Sequence, residues 1–180
     1  GTGGGLVERL DADSNVLWSY TLSDDTQHRH HDIELLPSGN ILMIAWEYRS
    51  PEQALAAGRA PELVTEEGVW ADHLIEVDPE TDQIIWEWHV WDHLVQEYDP
   101  AKRNFANPAD RPHRLDINGD QEAKLIDDEE LEQLKALGYV PEDATQDDLD
   151  SDLLHINAVA YNPDLDHIAL SVPRVGEIWI

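Results

Sequence analysis

Short runs of alternating apolar and polar residues fill much of this chain, and they come in pairs joined by turn chemistry. Val7-Glu8-Arg9-Leu10-Asp11 passes through Ala12-Asp13-Ser14-Asn15 into Val16-Leu17-Trp18-Ser19-Tyr20, and Leu74-Ile75-Glu76-Val77-Asp78 passes through Pro79–Gln83 into Ile84-Ile85-Trp86-Glu87-Trp88. A second type of pair opens on histidine. His31-Asp32-Ile33-Glu34-Leu35-Leu36 turns at Pro37-Ser38-Gly39-Asn40 into Ile41–Trp46, and His155–Tyr161 turns at Asn162–Asp166 into His167–Val172. Pro, Asn, Asp and Gly between β-branched and aromatic runs predict a hairpin in all four cases.

The order is Trp-hairpin, His-hairpin, Trp-hairpin, His-hairpin, then a new strand start at Glu177. A His-hairpin followed by a Trp-hairpin makes four antiparallel strands, the size of one propeller blade. The expected fold class is therefore all-β, a β-propeller, with residues 6–22 as an outer half-blade, 31–88 as a full blade and 155–180 as the start of the next. Ile180 falls inside an apparent strand, so the reading is a fragment of roughly two and a half blades. Turns within hairpins are short, whereas the long connections, Arg49–Val69 and the 89–154 insertion, lie between hairpins. His31, His155 and Arg174 fall on the rim that carries those long connections, and function concentrates on loops held by a rigid scaffold. Within them, Leu131, Leu134 and Leu137 predict a helix over Asp127–Leu137 capped by Gly138, Gln53–Gly58 suggests a shorter one, and Asp143–Asp152 reads as a solvated acidic loop.

Charge narrows the partners. The 180 residues carry a formal charge of -28, which repels phosphate backbones and anionic lipid, so nucleic acid and membrane surfaces are poor partners and neither nucleic-acid binding nor membrane insertion is expected. With no cysteine there is neither a disulfide framework nor a thiolate-bound metal. No apolar stretch approaches the ~18 residues of a membrane helix, and no signal peptide is visible at Gly1. Oligomeric state is not legible.

A titratable ring at the same point of two repeated hairpins suggests one site built by symmetry. His31 and His155 are the candidates, with adjacent His30, Asn157 and Trp46 as binding residues and Arg174 on the same rim; a structural histidine bonded to a neighbouring backbone is the plain alternative. Trp70, Trp88 and Trp91 fit either an aromatic pocket or ordinary packing. His89 and His93 would share a helical face as metal ligands, but no third ligand is specified. Asp116-Ile117-Asn118-Gly119-Asp120 begins like a calcium loop, yet Gln121 replaces the glycine of its sixth position and Asp127 the glutamate of its twelfth. No cofactor is expected, calcium being the one left open.

The segments His30-His31-Asp32-Ile33-Glu34-Leu35-Leu36-Pro37-Ser38-Gly39-Asn40 and His155-Ile156-Asn157-Ala158-Val159-Ala160-Tyr161-Asn162-Pro163 resemble the arylsulfotransferase (aryl-sulfate sulfotransferase) family. The resemblance covers about 1–100 and 152–180 and leaves most of 101–151 as an insertion. It implies a six-bladed propeller that passes sulfuryl groups from an aryl sulfate to a phenol through a sulfated histidine, with no nucleotide cofactor. It further implies that His31 and His155 are the first two active-site histidines, that the nucleophile lies in a later blade beyond Ile180, and that the protein is periplasmic or secreted. One departure is visible: the family's arginine falls where Pro173 stands, one residue before Arg174, and a one-residue slip turns a strand side chain to the other face.

Two other functions fit the same residues: a non-catalytic propeller that binds an aromatic or sulfated ligand or a protein, and a hydrolase that gives the sulfuryl group to water. Two and a half blades would leave sheet edges and buried faces without partners. The isolated 180-residue chain should therefore be aggregated, dimeric or poorly folded in sedimentation and thermal melts; a cooperative monomeric transition would contradict this.

Overall fold

Alternation in the sequence becomes antiparallel pairing in the computed structural model, which describes residues 5–119, 128–138, 140, 142–145 and 151–180. Strands make up 43% and helices 18%, so the fold is mainly β. Strands β1 (Leu6–Leu10) and β2 (Val16–Thr21) form the first hairpin, in register from Leu6 against Thr21. Strands β3 (Gln27–Leu35), β4 (Ile41–Arg49), β5 (Val69–Asp78) and β6 (Gln83–His89) follow in order as a four-stranded meander. Two-residue strands β7 (Leu94–Val95) and β8 (Leu115–Asp116) pair in parallel. Strands β9 (Ala158–Asn162), β10 (His167–Val172) and β11 (Glu177–Trp179) make a third antiparallel sheet. All four predicted hairpins and the strand start at Glu177 are present. Closure of a propeller ring is not seen among the described residues.

The chain divides into two compact units, one drawn from 5–47, 72–89 and 154–180, the other from 48–71 and 90–153. In the first, Ile41–Ala45 of β4 is buried without alternation, the pattern of a strand covered on both faces. Ile41, Met43, Ile75, Val77 and Val7 form its core, flanked by Trp18, Tyr20 and Leu22. The second unit contains both long connections. Buried Arg59 donates through Nη1 to the Ile117 carbonyl at 2.6 Å, and Asn118 accepts from the Ala60 N–H and donates to the Gly58 carbonyl. Asn118 thereby ties backbone to backbone; the rest of the candidate calcium loop, from Asp120 on, lies outside the described residues.

Helix α1 (Pro51–Ala56) starts earlier than predicted because Ser50 and Gln53 close a capping box with proline at the first turn. Helix α2 (Asp128–Ala136) ends on Gly138 at φ +75° as expected, but Leu131 is its one buried leucine and Leu137 is 69% exposed. Predicted start residue Asp127 lies outside the described residues. The acidic 143–152 stretch is not solvated to its end: the Trp70 N–H donates to the Ser151 carbonyl at 2.7 Å and the Leu153 N–H to the Trp70 carbonyl.

The histidines do not open their strands. Strand β3 begins four residues before His31; Gln27–Arg29 pair with Glu47–Ala45, Ile33–Leu35 pair with Met43–Ile41, and the register breaks between. His30, His31 and Asp32 occupy that bulge. His155 lies three residues before β9. Both residues adopt left-handed backbone, φ +50° at His31 and +57° at His155. The other non-glycine positive φ values among the described residues, at Ser14, Asp82 and Asp166, are all in hairpin turns. An L-residue there costs about 1–2 kcal/mol, and such strain persists where the surroundings over-determine it. In an ordinary strand glycine is less stable than alanine by about 0.5–1 kcal/mol. At positions 31 and 155 that order should invert: urea unfolding of the full-length protein should find His155→Gly at least as stable as His155→Ala, and alanine the more stable would contradict the left-handed assignment.

Candidate functional site

Two breaks in regular pairing bring the repeated histidines together. The His31 and His155 ring centroids are 4.5 Å apart with planes at 74°. His30 lies 5.2 Å from His31 and 6.4 Å from His155, its Nδ1 at 2.9 Å from His31 Nδ1. Trp46 stacks on His30 at 3.8 Å and lies 5.9 Å from His155. Three imidazoles and an indole from β3, β4 and the lead-in to β9 thus form one cluster. His30 is buried, His155 half-buried and His31 exposed, so the cluster has a closed and an open side.

Backbone contacts hold it. The Asp32 carboxylate accepts from its neighbour Ile33 N–H at 2.9 Å and from Val159 N–H on β9 at 3.1 Å. Arg29 Nη1 donates to the His31 carbonyl at 2.9 Å. Asp72, fully buried on β5, accepts the Ile156 N–H at 3.0 Å through Oδ1, and the same oxygen lies 3.3 Å from His30 Nε2. One carboxylate therefore positions the residue after His155 and faces the ring before His31.

The 3.3 Å approach would suit an ion pair, but His30 is not charged. Burial, followed by the neighbouring imidazoles of His31 and His155, pushes its pKa down to about 2, with a hydrogen bond at the Ala45 backbone acting the other way. A neutral ring has one N–H to give, and at the 2.9 Å approach of His30 Nδ1 to His31 Nδ1 one ring donates and the other accepts.

Arylsulfotransferase (ASST) is the family whose model matches the chain, over residues 8–175. The chain belongs to the arylsulfotransferase family. No curated protein matches it.

Within this arylsulfotransferase chain the remaining predicted residues are placed as follows. Arg174 is half-buried on the 3-10 turn Pro173–Val175, where Pro173 ends β10. The β9–β10 pairing runs His155 and Arg174 out of the same end of that hairpin. Asn157 extends the ladder by its N–H to the Ser171 carbonyl, with its side chain exposed. Of the candidate tryptophans, Trp46 joins the histidines, while Trp70 and Trp91 belong to the other unit. His89 is not paired as a metal ligand: its Nδ1 meets Glu47 Oε2 at 3.0 Å, and its ring stacks on buried His73 at 5.2 Å. No group of three His, Cys, Asp or Glu among the described residues is disposed to hold a metal ion.

Asp72 and Arg29 went unnoticed in the sequence. Asp72 precedes a histidine in an apolar strand without any repeat partner. Arg29 was within reach, as a cation two residues before the repeated histidine.

His30 links the site to pH. Its folded pKa lies below the ordinary value of 6.5, so between about 2 and 6.5 the unfolded chain binds a proton that the folded one does not. Its contribution to stability is full above pH 6.5 and falls with acid by up to about 1.4 kcal/mol per pH unit. In the full-length protein His30→Phe should flatten this slope, and the His30 ring should show no titration by NMR between pH 5 and 8. A His30 resonance titrating near 6.5 would contradict the buried neutral ring.

Proposed function

We propose that the protein carrying this sequence is an aryl-sulfate sulfotransferase of the propeller type, in which His31 and His155 move the protons of sulfuryl transfer. The observation that supports this most is the meeting of the two repeated histidines, each in left-handed backbone, at 4.5 Å. In the first half-reaction an imidazole nitrogen attacks sulfur, the S–O bond to the aryl oxygen breaks, and the leaving phenolate takes a proton from an imidazolium. In the second, a phenol gives its proton to the same imidazole, its oxygen attacks sulfur, and the S–N bond breaks. Imidazole serves both directions near neutral pH. The sulfated imidazole is assigned by family resemblance to a further histidine, beyond Ile180. His31 is the proton carrier, giving its proton to the leaving phenolate and taking one from the incoming phenol, and His155 is its partner against the sulfuryl group.

Anionic sulfuryl oxygens need donors, and charge developing on them is stabilised by fixed cations. Arg29 is the cation beside the cluster: its charge helps to depress His30. No acceptor among the described residues meets its buried Nε. Arg174 is the second donor, at the end of β10. An exported location rests on family resemblance alone.

The test is turnover of 4-methylumbelliferyl sulfate by the full-length protein with and without a phenol. A transferase releases umbelliferone faster when phenol is added. A hydrolase is indifferent to it, and a binding protein releases none. His31→Asn should lower kcat about 10²- to 10⁴-fold, the usual range for a lost general base, with the smaller change in KM. Full activity in His31→Asn, or in a His31→Asn, His155→Asn double variant, would overturn the assignment.

A further inference from the structure

Cations in this chain are not spread evenly. An open cavity of about 870 Å³ in the second unit is lined by Lys102, Arg103, Arg111 and Arg114, together with His113. Those are four of the eleven Lys and Arg in a chain with 39 acids. Among the described residues lining the cavity, Asp92 is the one acid, and Arg114 Nη1 bonds its backbone carbonyl, not its carboxylate. With acids so abundant, unpaired arginines would ordinarily be neutralised. Yet no ion pair to Arg103 or Arg111 is found among the described residues, while Lys102 has only a 3.9 Å contact to Asp99.

Aromatic rings complete the wall. Trp91 lines the cavity with the Arg49 guanidinium 5.3 Å over its ring, and Phe105 lines it while 44% exposed. Locally reversed charge in an acidic molecule concentrates anions from solution. Arginine forks suit tetrahedral oxyanions, and indole and phenyl faces suit a flat ring. We propose that this cavity, lined by none of the clustered histidines, is a binding site for aromatic oxyanions. Cations hold the anionic group and Trp91 with Phe105 hold the arene. Binding here involves no bond making, and it stands whether or not the histidines catalyse sulfuryl transfer.

The probes are 4-methylumbelliferyl sulfate, neutral 4-methylumbelliferone and inorganic sulfate. They are titrated by calorimetry at low ionic strength into full-length protein carrying His31→Asn and His155→Asn, so that the histidine cluster does not turn over substrate. The aryl sulfate should bind at least about ten times more tightly than either other probe and perturb the Trp91 indole N–H resonance. Adding Arg103→Gln and Arg111→Gln, both at exposed positions, should weaken it about tenfold or more, and salt should weaken it further. Equal affinity for inorganic sulfate, unchanged affinity in the arginine variants, or an unmoved Trp91 resonance would each overturn the proposal. The Trp91 readout needs no arginine variant, so it decides the matter even if those variants fold poorly. Loss of turnover in the histidine variants with binding retained separates this site from the catalytic reading.

Discussion

One carboxylate holds the site's geometry. Asp32 takes a backbone N–H from its own strand and another from β9, and a hydrogen bond contributes about 0.5–1.5 kcal/mol net. Val159 offers that N–H because β9 is an edge of its own sheet, and an edge strand's free N–H must find an acceptor. The acceptor comes from the bulge in β3. Pairing sheets through a side chain instead of a ladder lets two backbones approach while both stay irregular. Irregular backbone is what turns His31 and His155 toward each other.

The strain has a matching support. Left-handed backbone at His31 is held from one side by Arg29 on its carbonyl and from the other by Asp32. Below the pair, Asp72 fixes the chain at Ile156 and faces His30, whose stacking on Trp46 seals the closed side. Burial keeps His30 neutral, so the closed side of the cluster adds no charge beside His31 and His155.

Much of this was legible in the sequence. Turn chemistry placed all four hairpins, since Asp, Asn, Pro and Gly act locally. The repeat singled out His31 and His155 because a polar ring at matching positions has no packing reason to recur. Less legible was the bulge: Gln27–Arg29 continues β3 upstream of His31, and no glycine marks the break. Asp72 was hidden for a similar reason, since its partners lie far along the chain. The second unit was unreadable as a unit. Its ties, Arg59 to Ile117 and Asn118 to Gly58 and Ala60, join segments some 60 residues apart by side-chain bonds to backbone groups, which leave no sequence pattern.

The decisive measurement is a through-space NOE between the ring protons of His31 and His155, recorded on the full-length protein with selectively labelled histidine. Rings whose centroids lie 4.5 Å apart must give a strong cross-peak between two signals, each assigned by its asparagine variant. Absence of that cross-peak, with both signals sharp and assigned, would mean that the two repeats do not share a site.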